Sequence, residues 1–295
     1  MTNQHTLPSG ESYAEIVVRK MPFEFPDDIN PHWNPNQLEW SQIVNGASLA
    51  MPFLEPYLIK TMRTANNEIS SAQLQKEVSL YIGQEAQHFQ QHRKFNEVII
   101  EGGYPELREI EAEFKADYLD FETNRSLKFN LAYACGFESI ALALGHWLVK
   151  DREFLFANSD PRVASLILWH FVEEIEHKNV AFDAYQAVYG NYLYRIYGTI
   201  FAMRHLMKIS RRAYRVLLKR DGLWSSLRSR WRLQKILLRF FANIIPPMIS
   251  TCLPWHHPSG VKDPKWCLDW IKTYSRDGEN LAALDTKNLN SNFTL

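Results

Sequence analysis

The feature that most limits what this chain can fold into occurs twice. "YIGQEAQHFQQH" carries Glu85 and His88, and "WHFVEEIEHKNVAFDAY" carries Glu174 and His177. Each pair is a Glu-x-x-His inside a long segment of helical apolar period, so its two side chains share one helix face. The second segment adds His170 one turn earlier, and His170, Glu174 and His177 then fall within about 60° of one another. Such a stripe amid apolar residues is costly to bury unless something sits between the groups. One Glu-x-x-His is a weak signal; two on separate helices constrain the fold. A four-helix metal site also requires one glutamate from each of the other two helices. "FESIALALGHWL" offers Glu138 beside the small residues Ala134, Ala141 and Gly145. "SLAMPFLEPYLI" offers Glu55, the only acid between Glu39 and Glu68. The order along the chain is therefore Glu, Glu-x-x-His, Glu, Glu-x-x-His. Pro52 and Pro56 predict a distorted helix at Glu55.

The remaining pattern is helical throughout. Glycine is scarce, with 12 in 295 residues, and apolar periodicity predicts helices over about 36–64, 70–101, 127–150 and 161–189. A shorter acidic helix is expected over about 105–122, two basic amphipathic ones over about 193–219 and 223–245, and a short one near 264–275. GGYP at 102–105 and NSDP at 158–161 are breaks, with Asp160 placed to cap a helix that begins at Pro161. No stretch alternates as a strand does. The fold class is all-α: an irregular arm over 1–34, a metal-binding bundle over 35–190, and a C-terminal helical extension over 191–295 packed into the same domain. Three cysteines without CxxC spacing argue against a disulfide framework. The polar N-terminus has no apolar leader, and two prolines interrupt "FFANIIPPMISTCLPW", which argues against a membrane span there. A cytoplasmic location, with a peripheral membrane contact as a variant, is the expectation.

Charge is balanced overall but not locally. From Arg204 to Arg239 there are twelve Lys or Arg and one acid, Asp221. That segment reads either as a solvated face packed on the bundle or as a contact with anionic membrane over 204–239. Nucleic acid is not expected, because no binding motif accompanies the charge.

Four buried glutamates would repel and take up protons, whereas two divalent cations cancel their charge and neutral histidines complete the coordination. Mixed carboxylate and imidazole donors suit two iron ions, with manganese or zinc as alternatives. The bland readings apply elsewhere. His146 and His92 read as hydrogen-bonded core or rim residues, and Glu173 and Glu176 flank the stripe as supporting or solvated groups.

The runs "FLEPYLIKTMR", "YIGQEAQHFQQHRKFN", "CGFESIALALGHWLV", "WHFVEEIEHKNVAFDAY" and "HHPSG" resemble a bacterial family catalogued as predicted metal-dependent hydrolases, over about residues 20–275. The ligand pattern is similar to that of ferritin-like di-iron carboxylate proteins, which implies a ferritin-like four-helix bundle with additional C-terminal helices. The pattern His170-x-x-x-Glu174-x-x-His177 also resembles di-iron N-oxygenases acting on arylamines, such as p-aminobenzoate N-oxygenase. That resemblance implies that Glu85 and Glu174 bridge two metals, that Glu55 and His88 complete one, and that Glu138, His170 and His177 complete the other. The three histidines on Glu-x-x-His scaffolds favour, by analogy, a di-iron oxidoreductase or oxygenase activating O2 on an unidentified, hydrophobic small molecule; the alternative is a two-metal hydrolase acting through an activated water. No flavin or nicotinamide fingerprint is present, so the redox reading requires a separate electron donor.

Overall fold

The computed structural model describes residues 16–274 and 284–290. Of the expected elements, the first fifteen residues of the irregular arm and the last residue of the short helix near 264–275 lie outside the described residues. Among the described residues there is no strand. The chain runs through α1 (Leu38–Ser48), α2 (Met51–Asn66), α3 (Ala72–Glu101), α4 (Leu107–Asn124), α5 (Leu127–Lys150) and the short α6 (Arg152–Phe156). It continues through α7 (Pro161–Glu176), α8 (Val180–Val188), α9 (Tyr192–Arg220), α10 (Leu227–Thr251) and α11 (Lys265–Thr273).

Local chemistry sets the starts. Ser71, Ser126, Asn191 and Ser226 each accept a backbone N–H from the first turn of α3, α5, α9 and α10, satisfying donors that no residue inside the helix can reach. Asp160 caps α7 ahead of Pro161, as its sequence predicts.

Three expectations are corrected. The predicted helix over 36–64 is two helices, broken at Leu49 and Ala50. The predicted helix over 161–189 ends at Glu176 and resumes at Val180, with His177 as its C-cap residue. The His177 N–H still bonds to the Glu173 carbonyl at 3.0 Å, so the face of the stripe is kept. Finally, α10 does not stop before Pro246 but runs through Pro246 and Pro247 to Thr251. The carbonyls those prolines leave without helical donors belong to Ala242, which is exposed, and to Asn243, which is half-buried beside an open cavity, so water can reach both.

The four helices that carry the glutamates, α2, α3, α5 and α7, form the core of the bundle. Helix α5 is its central member: nearly every side chain from Phe129 to Val149 is buried. It is the one described helix long and apolar enough to cross a membrane, and 89% of its apolar window is buried inside the protein. Its other side receives α9. A Cβ at Gly136 would lie 2.5 Å from Thr199 Cα, and one at Gly198 2.5 Å from the Ala132 backbone. Glycine at both positions thus allows backbone-to-backbone contact, which ties the basic helix to the bundle. Residues 16–37 have no helix but are ordered as a strap across α3 and α7. Gln84 and Gln91 of α3 donate side-chain amide hydrogens to the Val17 and Met21 carbonyls.

Candidate metal centre

Glu55 projects from α2, Glu85 and His88 from α3, Glu138 from α5, and His170 and Glu174 from α7, with His177 just past the end of α7. All seven side chains are buried, none more than 3% exposed. The structure brings together every residue expected at the site.

They form two groups. Glu55, His88 and His170 offer donor atoms within 4.8 Å of one another, and so do Glu85, Glu138, Glu174 and His177. Two carboxylates join the groups. Glu174 Oε1 lies 2.9 Å from His170 Nε2 and 3.8 Å from His88 Nδ1, while its Oε2 lies 3.2 Å from His177 Nε2. Glu85 Oε2 lies 4.0 Å from His88 Nδ1, and its Oε1 3.5 Å from His177 Nε2. Each therefore turns one oxygen toward each group.

This partition corrects one expectation. The N-oxygenase resemblance implies that His170 shares a metal with Glu138 and His177; the structure places it with Glu55 and His88 instead, its ring stacked on that of His88 at 4.3 Å. The reason is helical rise. Residues 170 and 177 are seven apart, about 10.5 Å along an axis rising 1.5 Å per residue. His170 and His177 lie on opposite sides of Glu174 and reach different points.

Pro56 distorts α2 less than its sequence predicts. The helix is continuous from Met51, with Pro52 in its first turn, where a missing N–H costs nothing. Pro56 leaves the Pro52 carbonyl without its helical donor, and the Arg93 guanidinium donates to it at 3.5 Å.

The outer nitrogen of each histidine is held. His177 Nδ1 lies 3.1 Å from Gln84 Oε1, and His88 Nε2 3.0 Å from Glu173 Oε2. For His170 a chain of contacts fixes the tautomer. Asn96 donates its amide to the Ser48 carbonyl, so its Oδ1 faces and accepts the Ser48 hydroxyl at 2.6 Å. Ser48 Oγ then accepts from His92 Nδ1–H at 2.7 Å. Burial holds the His92 pKa well below its ordinary value, with nearby His170 adding to the effect. His92 Nε2 is therefore bare and accepts from His170 Nδ1–H at 2.7 Å. That leaves a lone pair on His170 Nε2 facing a Glu174 oxygen at 2.9 Å. Two acceptors in that position require a cation between them, either a proton or a metal ion.

The rest of the donor set fits the same occupant. Both oxygens of Glu55, both of Glu85, Glu138 Oε2 and His88 Nδ1 are buried with no hydrogen-bond partner. An unpaired buried polar group costs about 1–3 kcal/mol, more when charged. Without metal, burial and the neighbouring carboxylates push Glu55 and Glu85 well above the usual carboxylate range, and Glu138 up to about 7. Burial acts upward on Glu174 too, but His177 and His170 outweigh it and hold Glu174 low. Burial works against a charged His177, yet Glu174 and Glu138 raise it. The same burial that disfavours charge on Glu55, Glu85 and Glu138 would be offset by cations placed among them, so the donor set fits metal ions.

Several supporting residues are not evident from the motifs. Tyr81 donates its hydroxyl to Glu138 Oε1 at 2.7 Å, leaving Oε2 as the free oxygen. Tyr81, Glu85, His88 and His92 follow i, i+4, i+7, i+11 on α3, so the stripe extended in both directions reaches all four. Glu173 and Glu176, which flank the α7 stripe, both accept from the Arg19 guanidinium, at 2.8 and 2.9 Å. Burial lifts Glu173 to about 8 against the pull of Arg19. Nothing in the spacing of the arm foretells Arg19, which joins the site only in the fold.

A cavity of about 670 Å³ opens between α5, α10 and α11. Ser139 and Leu142, next to Glu138 and one turn beyond it, line its inner wall, and His146 contributes a buried Nε2 that has no partner. Lys150, Arg152, Lys262 and Lys265 contribute cationic side chains, Lys265 being ion-paired with Asp269 of the same lining.

A family model described as "Predicted metal-dependent hydrolase" matches residues 17–262. That span covers most of the chain, and the protein belongs to this family. No curated protein and no solved structure matches. The family's description agrees with the alternative reading, a metal-dependent hydrolase, rather than with the oxidoreductase that the sequence favours.

Proposed function

With membership of the predicted metal-dependent hydrolases as premise, we propose that this protein is a dinuclear-metal enzyme and that hydrolysis is its reaction. The observation that carries the dinuclear reading is the pair Glu85 and Glu174, each turning one oxygen to each histidine group. In this reading Glu55, His88 and His170 would hold one ion and Glu138 and His177 the other, with Glu85 and Glu174 available to both. Two bound ions would offset the carboxylates, polarise the scissile group and lower the pKa of water. The chain's own residues do the positioning. Tyr81 fixes the rotation of Glu138, Gln84 and Glu173 orient His177 and His88, and the His92–Ser48–Asn96 chain keeps the His170 lone pair inward. The cavity beside Ser139 and Leu142 is the proposed substrate site; its apolar walls and cationic rim suit an anion with an apolar body.

A second reading is O2-dependent oxidation by two irons, with electrons from a separate donor. The burial of all seven donors favours it, because a dry site suits a small apolar gas and shields reactive chemistry from water. The test is metal analysis of protein purified from cells, followed by two assays on the same sample: cleavage of a panel of carboxylic and phosphate esters, and O2 uptake after anaerobic reduction. Two divalent ions per chain with metal-dependent ester cleavage is the expected result. Iron with rapid O2 uptake and no cleavage would transfer the assignment to the oxidase. Wild-type protein that binds no metal would end both.

A further inference from the structure

Helix α10 is amphipathic, and its outer face is the unusual one. Leu227, Trp231, Leu238, Ile245 and Ile249 are 84%, 63%, 66%, 48% and 62% exposed. At 100° per residue these five positions lie within an arc of about 40°, a single stripe from one end of the helix to the other. The opposite face is anchored by Leu233, Ile236, Ile244 and Met248, all buried. The stripe is therefore not a frayed or loosely packed element. Trp255, 78% exposed, follows the helix. Arg228, Arg230 and Lys235 flank the stripe, as does Arg239, which is paired with Asp151 of the bundle, and no carboxylate occurs between Asp221 and Asp263.

We propose that the outer face of α10 docks on an anionic lipid surface, with the stripe in the headgroup–acyl boundary and the flanking Arg and Lys on lipid phosphates. A helix that lies in a membrane interface has this composition: a continuous apolar line, cationic flanks and tryptophan at the boundary. Charge complementarity selects this occupant. Anionic headgroups supply the missing negative charge, whereas the same face of a second copy brings more cations and no carboxylate from its own helix. The inner side of α10 contributes Asn243 and Pro247 to the cavity described above, so docking would place that cavity near the lipid.

The experiment is flotation of the full chain with vesicles of phosphatidylcholine alone and of phosphatidylcholine mixed equally with phosphatidylglycerol, at low and high salt. Trp231→Asp/Leu238→Asp and Arg228→Gln/Arg230→Gln/Lys235→Gln are compared with wild type, with helicity and metal content as fold controls. Expected is binding of wild type to the anionic vesicles only, reduced at least tenfold by high salt and by either variant. Binding that both variants retain, or no binding at low salt, would overturn the proposal. So would a wild-type dimer in solution that the Asp variant alone converts to monomer, which would assign the face to a second copy.

Discussion

The two histidine groups of the centre are built from the same residue types and supported differently. On the Glu55–His88–His170 side the support runs far. His170 leans on His92, Ser48 and Asn96, reaching α3 and the end of α1, and His88 leans on Glu173, Arg19 and Glu176, reaching the N-terminal strap. On the Glu138–His177 side the direct partners are fewer and neutral, one phenol from Tyr81 and one amide from Gln84, and only Gln84 carries the support onward, to Glu176 and the Val17 carbonyl of the strap. The second side is also next in sequence to the cavity-lining Ser139 and Leu142. The difference teaches that the centre has a braced position and a yielding one, and the yielding one lies beside the cavity proposed for substrate. Rigid second contacts hold a ligand in a single geometry, while fewer of them leave room for coordination to change.

The comparison can be broken most severely at its hinge. Glu174→Ala removes the carboxylate that faces both groups and should abolish binding of both ions, read as metal per chain by elemental analysis after desalting. Retention of two ions would show that Glu174 does not join the groups. His170→Ala tests the braced side alone. It should lose the ion shared with Glu55 and His88 and keep the one at Glu138 and His177, giving about one ion per chain with unchanged helicity. Loss of the other ion instead would restore the grouping implied by the N-oxygenase resemblance.

Arg19→Met acts from farther out. It leaves Glu173 and Glu176 buried without their guanidinium, and breaking a buried pair in this way costs about 3–5 kcal/mol. Thermal unfolding should drop accordingly. Affinity for the braced ion should fall about 10–100-fold, with the yielding ion less affected. Equal weakening of both would erase the distinction. The smallest effect is expected from Tyr81→Phe. It deletes one hydrogen bond to Glu138, worth about 1.5–3 kcal/mol where the acceptor is charged, and should leave two ions bound. Its signature is a change in turnover, since Glu138 becomes free to rotate. Unchanged turnover would remove Tyr81 from the positioning residues.

Much of this was legible before any coordinates. The periodicity of "LKFNLAYACGFESIALALGHWLVK" predicts α5 at its observed bounds, because a helix buried nearly all round with a serine before it leaves little choice. The doubled Glu-x-x-His finds both histidines that end it, because i and i+3 are fixed by the helix itself. What failed was what depends on level rather than face. The stripe in α7 shows that His170 and His177 look the same way, but which donors stand opposite each is set by how far α2, α3 and α5 slide along the bundle. Local propensity does not encode that. Arg19 was invisible for a similar reason: its partners are 154 and 157 residues away. The prolines of α10 misled in the other direction, since a proline pair ends a helix only where the freed carbonyls have nowhere to go.

The strap has a consequence for how the protein comes to be made. Besides its carboxylates, Arg19 donates through Nε to the carbonyl of Tyr274, a separation of 255 residues. Synthesis proceeds from the N-terminus, so this contact waits until nearly all the described chain has emerged. The ion pairs of Arg19 with Glu173 and Glu176 can form earlier, so the Nε bond to Tyr274 is the last of its contacts to be completed and fastens the C-terminal helix onto a strap already held at the centre.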